Sequence, residues 1–276
     1  MTQRSLPRLR CAAAAAAAAA ALLALAASAQ AALVDVTVTV QNLAPANSIS
    51  FAPLHLAFNN GSYDAFNLGG VATAPIISVA EGGGGADWQA AFGVADPTAT
   101  RGTVAGLLLP GATRSLTLRV DTALNPFFTF GAMAVPSNDF FIGNDSPTEY
   151  RLFNAAGGLL IPSILVKADE IWDAGSEIFD PAAAAFVGVN GLRRDQNSVV
   201  AFNFAEFAAF NGLTTGAGYT FNSALTADSD VYRISFGVTA VPEPGSYALM
   251  LAGLMAVGFV ARRRRCGGRQ VGFAAA

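Results

Sequence analysis

The sequence predicts an all-β protein, an antiparallel β-sandwich with short helical insertions, and three observations lead to this prediction. Residues 33–41 alternate, as in a half-buried strand: one side carries Val34, Val36, Val38 and Val40 and the other side is polar. Residues 106–120 (GLLLPGATRSLTLRV) indicate a strand, a Pro-Gly turn and a second strand. The 28 glycines favour turns and loops over long helices.

The other elements are predicted from the same patterns, in chain order. Residues 49–58 (ISFAPLHLAF) supply a second strand. A two-turn helix is predicted within residues 73–85, with Pro75 near its start and a glycine run at its end, and a short helix at residues 87–92. Further strands are predicted at residues 126–135, 150–153, 161–167, 199–204 and 228–240, with a helical turn at 205–210.

The N-terminus has the features of a secretory signal peptide over residues 1–31. A region with three arginines and no acid precedes an apolar run at residues 11–27, and Ala29-Gln30-Ala31 fits the small-x-small cleavage rule. The alternative is a retained anchor helix, but the apolar run is short for a membrane span. We therefore expect the chain to be exported.

The C-terminus, residues 241–265, carries three features in order. These are the motif Pro242, Glu243 and Pro244, an apolar segment at residues 247–261, and the basic cluster Arg262, Arg263, Arg264 and Arg265. This order resembles the PEP-CTERM sorting tail. The resemblance implies an inner-membrane anchored precursor, cut by an exosortase-type sorting protease, whose mature form is at the cell surface or extracellular. Residues 266–276 would be a cytoplasmic remnant, and a plain tail anchor is the alternative.

The charge distribution excludes a nucleic-acid partner. The chain has a formal charge of −3, but residues 32–244 hold 8 basic and all 19 acidic residues, a net −11. Such a domain repels phosphates and suits divalent cations and an extracellular setting. The two cysteines, Cys11 and Cys266, fall in the terminal segments, so the mature domain has neither a disulfide framework nor a Cys-ligated zinc site.

Two short acidic motifs follow predicted strands. Residues 136–143 (PSNDFFIG) and 171–177 (IWDAGSE) each set a carboxylate beside an aromatic residue and a glycine. Carboxylates on loops at strand ends can share a hard cation, and calcium accepts irregular loop geometry with six to eight oxygens. The alternative is that Asp139 and Asp173 are turn residues whose side chains bond nearby backbone amides. Spacing alone leaves both interpretations open.

The same motifs resemble a known family. Residues 135–145 (VPSNDFFIGND) and 172–177 (WDAGSE) resemble the signature of the spondin N-terminal domain family, and residues 55–70 resemble its early part. The resemblance implies a domain at residues 32–240 that is a β-sandwich with a calcium ion at one end. By motif position it implies Asp139, Asp173 and Glu177 as acidic ligands. Glu177 departs from the animal pattern, which has Asp there.

The sequence therefore predicts a secreted, surface-sorted calcium-binding β-sandwich, not an enzyme, that is a structural or adhesive component of the bacterial envelope or exopolysaccharide matrix. Two alternatives stay open. One is a polysaccharide hydrolase in which Asp139 works with Asp173 or Glu177, although crowded carboxylates without a nearby His or Lys favour a metal. The other is a carbohydrate-binding module with Trp88, Trp172 or Tyr150 as stacking platforms. The single histidine, His55, is expected to pack in the core.

Overall fold

The computed structural model describes residues 33–241 and 250–258, and within them the fold is mostly antiparallel β. The elements are β1 (Leu33–Asn42), β2 (Ser50–Phe51), β3 (Leu54–Asn59), α1 (Ala74–Gly82), α2 (Ala86–Ala95), β4 (Thr100–Val104), β5 (Thr113–Asp121), β6 (Phe127–Val135), β7 (Phe140–Gly143), β8 (Tyr150–Arg151), β9 (Ser163–Lys167), β10 (Trp172–Asp173), β11 (Ala201–Phe202) and β12 (Asp230–Ala240). Short 3-10 helices are found at Ala168–Glu170, Asn190–Leu192 and Ala205–Phe210.

The strands form two sheets. The four-stranded sheet has the order β5-β1-β12-β9, and the eight-stranded sheet has the order β11-β10-β7-β6-β3-β4, with β2 and β8 also paired to β6. β6 is the centre of the larger sheet, because β2 and β3 lie along one of its sides and β7 and β8 along the other. The position of β7 and β10 in this order fixes where the two acidic motifs lie.

The main hydrophobic core lies between the two sheets. It joins the inward valines of β1 to the inward residues of β3, β6, β7 and β12. Aromatic contacts cross between the sheets, with ring centroids 4.7 Å apart for Phe51 and Tyr232 and 4.9 Å apart for Phe128 and Phe236. The predicted sandwich is thus consistent with the packing of the two sheets.

A second hydrophobic layer covers the opposite face of the larger sheet. Helices α1 and α2 contribute Ile76, Val79, Trp88 and Phe92, which pack with Phe141 and Trp172 of the sheet. Every residue of β6 after its first is therefore buried, which explains why its sequence is apolar except for Thr129. The outer face of the smaller sheet is instead polar, with hydroxyl pairs such as Thr37 and Thr117 at 2.8 Å.

Several predicted elements are confirmed, and the differences have local causes. β1 and β12 lie where the sequence predicts them, and α1 ends at Gly83, whose φ is +64°. The strand predicted at residues 49–58 is two strands, β2 and β3, separated by Ala52 and Pro53. Residues 107–109 form no strand and contribute one bridge, between Leu108 and Phe51. Apolar alternation does not reveal β4, because Arg101 and Gly102 occupy its middle.

His55 is buried as expected of a packing residue. Its Nε2 lies 3.0 Å from the carbonyl oxygen of Gly83, and its Nδ1 lies 3.1 Å from the hydroxyl of Thr103. Burial lowers the pKa of its imidazole. The ring fixes the glycine run after α1, because a Cβ on Gly85 would lie within 2.4 Å of three imidazole atoms. The packing role predicted for His55 is therefore confirmed.

The terminal predictions fall mostly outside the described residues. The signal peptide at residues 1–31, the motif Pro242, Glu243 and Pro244, and the basic cluster at 262–265 all lie there. Within the predicted apolar segment, residues 250–258 are helical. In the described part of the chain, no helix has both the length and the apolar character needed to cross a membrane. Transient membrane anchoring through this segment stays a prediction.

Candidate functional site

Strand pairing brings the two acidic motifs together. Asp139 ends the turn between β6 and β7, and β10 pairs with β7 so that Asp173 lies opposite Phe140. The backbone amide of Ala174 donates to the backbone carbonyl of Asp139 at 3.1 Å. Asp139, just before β7, and Asp173, at the end of the neighbouring β10, thus lie close together, as the sequence interpretation requires for a shared site.

The turn that carries Asp139 is held by its own serine. The Ser137 hydroxyl donates to the carbonyl of Ala134 at 2.5 Å and accepts the amide of Phe140 at 3.1 Å. The Val135–Pro136 peptide bond in this turn is cis. Together these contacts fix the backbone on both sides of Asp139, so the direction of its side chain is set by the turn.

Asp139 is the centre of the site. One carboxylate oxygen, Oδ2, accepts the amide of Ser176 at 2.7 Å, the hydroxyl of Ser176 at 3.1 Å and the amide of Glu177 at 3.0 Å. The residue is almost fully buried. The other oxygen, Oδ1, accepts no hydrogen bond from the described residues. Asp139 therefore orders the loop after β10 through Oδ2, and its Oδ1 is left without a hydrogen bond from the described residues.

Asp173 is held by the turn that it begins. Its Oδ1 accepts the amide of Gly175 at 2.7 Å, which makes a tight turn after β10. Gly175 has a φ of +65°, and a Cβ there would lie 2.8 Å from the carbonyl oxygen of Val199. The turn predicted as the alternative role of Asp173 is thus present, and the amide side chain of Asn203 is a second hydrogen-bond partner of this carboxyl.

Glu177 is buried and paired with a cation. Its Oε1 lies 3.1 Å from Nη1 of Arg193, and the Glu177 side chain is 1% exposed. Its second oxygen, Oε2, has no hydrogen-bond partner among the described residues. Nδ2 of Asn138 and Nε of Arg193, in the same site, likewise make no hydrogen bond of normal length to the described residues, although the Asn138 side chain is close enough to Glu177 to act on the pKa of its carboxyl. Buried polar atoms without partners are rare, and they mark places where water, an ion or a ligand is bound.

The three carboxyls share raised pKa values. Burial raises the pKa of Asp139, against the lowering effect of the amides of Glu177 and Ser176. Burial, and then the charge of Asp139, raise the pKa of Asp173 to about 6. Burial raises the pKa of Glu177 to about 7, opposed by Arg193 and reinforced by Glu81 and Asp139. A nearby positive charge would lower all three pKa values.

Other acidic residues of the second motif region do not join this site. Glu170 accepts the amide of Lys167 at 2.7 Å through its Oε2, at the start of a 3-10 helix. Asp180 accepts the amide of Ala182 at 2.9 Å. Both are local turn contacts, whereas Asp139, Asp173 and Glu177 influence one another electrostatically.

Sequence patterns missed Arg193, Glu81 and Asn138. Arg193 donates from Nη2 to the backbone carbonyl of Glu81 at 2.6 Å, so it connects the last turn of α1 to the site. A usable signal exists in the sequence: between residues 168 and 232 the only basic residues are Arg193 and Arg194. A basic pair isolated within an acidic segment indicates a local charge partner.

The three carboxylates are suitable ligands for a hard cation, but their positions in this structure do not form a metal site. Asp139 and Glu177 each have one oxygen engaged and one without a hydrogen bond of normal length from the described residues, Asp173 adds a third carboxylate, and calcium prefers oxygen ligands. As the side chains stand, no group of three or more His, Cys, Asp or Glu within the described ranges is placed to hold a metal ion. The present arrangement satisfies Glu177 with an internal cation, Arg193, instead.

Two of the aromatic residues predicted as stacking platforms for sugars are not accessible to a ligand. Trp88 and Trp172 are buried, so neither indole face is open to a ligand. The Trp172 ring packs on Phe202 with centroids 4.1 Å apart and 23° between the planes. Phe202 itself is 49% exposed at the sheet edge. The stacking surface that the structure offers is therefore Phe202, one of the phenylalanines of the aromatic-rich segment at residues 198–212.

Comparison with known families matches residues 240–265 to the PEP-CTERM protein-sorting motif. The motif marks a secreted protein that is processed by exosortase and sorted to the cell surface. No curated protein matches the chain. The match covers the tail alone, so the resemblance of residues 34–240 to the spondin N-terminal domain stays a prediction.

Proposed function

We propose that this exported, surface-sorted protein binds calcium at the acidic site of Asp139, Asp173 and Glu177. We further propose that it serves as a structural or adhesive component of the envelope or the exopolysaccharide matrix. The observation that carries the calcium proposal is the oxygen left without a partner on two of the three carboxylates. Oδ1 of Asp139 and Oε2 of Glu177 accept no hydrogen bond of normal length from the described residues, whereas the other oxygen of each is engaged by the protein.

The charge environment supports a cation ligand. Asp139 raises the pKa of both Asp173 and Glu177, so the ionised carboxylates repel one another in the metal-free protein. A divalent ion removes that repulsion, and calcium tolerates the irregular geometry of two loops. The residues that would hold the ion are Asp139, Asp173 and Glu177, with backbone carbonyls and water completing its shell.

A calcium ion that connects two loops would also stabilise a secreted matrix protein. The mature domain has no cysteine, so no disulfide joins its loops. The loop from residue 174 to residue 200 contains only one short 3-10 helix and no named strand. An ion shared between this loop and the β6–β7 turn would restrict it, and calcium is abundant outside cells. We expect no turnover of polysaccharide.

The test compares matched single substitutions in the exported protein. A ligand at one hundred times its Kd stabilises the folded state by about 2.7 kcal/mol. For a domain of this size we expect the melting temperature to rise roughly 5 to 10 °C in calcium relative to chelator. Asp173→Asn should abolish most of this rise. Asp169→Asn removes the same charge four residues away, from an exposed side chain, and should leave the rise intact.

Calcium binding measured by isothermal titration should follow the same order: most of it is lost in Asp173→Asn, and it is retained in Asp169→Asn. A calcium-dependent melting shift that survives Asp173→Asn, or that is lost equally in Asp169→Asn, contradicts the assignment. Absence of any shift in the unsubstituted protein at millimolar calcium contradicts calcium binding altogether.

Carbohydrate binding is a second candidate, favoured by Phe202. One face of its ring lies on Trp172 and the ring is half exposed, which is the arrangement of a stacking platform for an apolar ligand face. Binding of neutral polysaccharide should change the fluorescence of Trp172. Phe202→Ala should remove the change, whereas Val94→Ala, at an exposed position on α2, should not. Equal binding by both variants contradicts this candidate.

A further inference from the structure

Arg193 lies within the acidic site and not on the open surface. Its side chain is 19% exposed, and two of its nitrogens are fixed: Nη1 lies 3.1 Å from Oε1 of Glu177, and Nη2 donates to the carbonyl of Glu81 at 2.6 Å. Its charge also acts to lower the pKa of Asp139. A single guanidinium thus neutralises Glu177, acts on Asp139 and reaches the end of α1.

We propose that Arg193 is the resident counter-cation of this site, which neutralises Glu177 in the metal-free protein and opposes the entry of a divalent ion. Arg193 thereby sets the calcium concentration at which the site fills. This inference rests on the proposed calcium-binding function.

The first argument is electrostatic. A guanidinium and a calcium ion carry charges of the same sign, and their repulsion grows as the distance between them falls. Both would bind the buried carboxylate of Glu177, whose Oε1 is already paired with Arg193.

The second argument comes from unpaired atoms. Nε of Arg193 and Nδ2 of Asn138 are buried donors that make no hydrogen bond of normal length to the described residues, and both side chains face Glu177, whose Oε2 is likewise unpaired at that length. Two donors and one acceptor suit a neutral, hydrogen-bonding occupant such as water better than a bare cation. A calcium ion on Oε2 would therefore be favoured once the guanidinium moves away. Such movement would also release the carbonyl of Glu81, so α1 would lose its tie to the site.

A different role for Arg193 predicts the opposite result. If Arg193 only positioned Glu177, by holding Oε1 so that Oε2 faces the metal, its removal would weaken calcium binding, since partners of ligating carboxylates orient them. The sign of the change in calcium affinity therefore separates competition from positioning.

The experiment measures calcium Kd by isothermal titration for the exported protein and three variants. Arg193→Gln should bind calcium at least about tenfold more tightly than the unsubstituted protein, which corresponds to about 1.4 kcal/mol. Arg193→Lys keeps the charge and should stay within a few fold. Arg194→Gln, an exposed neighbour on the same loop, removes the same charge and should change Kd less than threefold. Equal or weaker binding by Arg193→Gln than by Arg194→Gln overturns the competition.

A second measurement needs no calcium. In chelator, Arg193→Gln should lower the melting temperature more than Arg194→Gln, because it leaves the buried Glu177 without its partner. Glu177→Gln should remove most of that difference, as expected for coupled residues in a double-mutant cycle. Additive effects would overturn the counter-cation role. If no variant binds calcium, the proposed function and the competition both fail, and the cycle alone decides whether Arg193 is the counter-cation.

Discussion

The carboxylate of Asp139 accepts the backbone amide of Glu177 at 3.0 Å, across 38 residues of sequence. The contact joins the turn between β6 and β7 to the loop after β10, and it places the Glu177 side chain beside Arg193. A short side chain on a rigid turn thus orders a long irregular loop. This arrangement gives Asp139 a structural role that is independent of any metal.

Replacing Asp139 tests that structural role. Asp139→Ala leaves the buried amides of Ser176 and Glu177 without an acceptor, and each loss costs about 1 to 3 kcal/mol. We expect the free energy of unfolding to fall by about 2 to 4 kcal/mol in urea denaturation. Asp139→Asn keeps a carbonyl acceptor and should cost less than Asp139→Ala. An alanine variant as stable as the unsubstituted protein would show that these hydrogen bonds do not order the loop.

Gly175 offers a separate test of the turn after β10. Gly175→Ala combines a φ of +65° with a Cβ 2.8 Å from the carbonyl oxygen of Val199. Gly218→Ala is the matched control, because its φ is +86° and no atom lies within 4 Å of the added Cβ. Both should cost about 1 kcal/mol of backbone strain, and Gly175→Ala should cost at least about 1 kcal/mol more for the overlap. Equal losses of unfolding free energy would contradict the close approach.

The sequence reveals the parts of this fold that depend on local pattern. β1 alternates because one face is buried and the other is polar, so the inward and outward faces of the strand can be predicted. The motif carboxylates Asp139 and Asp173 could be placed near one another because each follows an apolar strand-like run. Strand ends and glycine turns have local sequence signals, and those signals were sufficient here.

The rest depends on contacts that no local pattern encodes. β10 is two residues long, too short for periodicity, and it exists through pairing with β7 and β11. β11 lies within the strand predicted at residues 199–204, but it is limited to Ala201–Phe202. The burial of Trp88 and Trp172 follows from the helical layer on the larger sheet. Arg193 lies on a loop with almost no regular structure, and it donates to the backbone carbonyl of Glu81, which is 112 residues earlier in the chain. Tertiary contacts of this kind decide the electrostatics of the site.

Processing of the tail can be checked in the native host. Residues 240–265 match the PEP-CTERM sorting motif, so we expect the surface-released protein to lack the basic cluster of residues 262–265. Its N-terminus is expected near residue 32, after the predicted signal peptide. Intact-mass spectrometry measures both ends at once. Removing the four arginines should leave the protein unsorted, whereas a released protein that retains them would contradict exosortase processing.

The pH dependence of stability follows from the carboxyls of the site. The pKa of Asp173 is raised to about 6 and that of Glu177 to about 7. A group whose pKa is higher in the folded state binds its proton more tightly there, so the stabilisation is present below the unfolded pKa and is lost as pH rises through the folded pKa. The metal-free protein should therefore lose stability from this site between about pH 4 and pH 7.

The stabilisation by calcium should instead increase as the pH rises over the same range. Protons compete with the ion for Asp173 and Glu177, so the rise in melting temperature with calcium should be small at pH 5 and large at pH 7.5. Differential scanning calorimetry in chelator and in calcium, at both pH values, measures the two effects together. Glu177→Gln removes the group with the higher pKa, so it should flatten the metal-free pH dependence near neutral pH. A calcium shift of equal size at both pH values would mean that these carboxyls do not hold the ion.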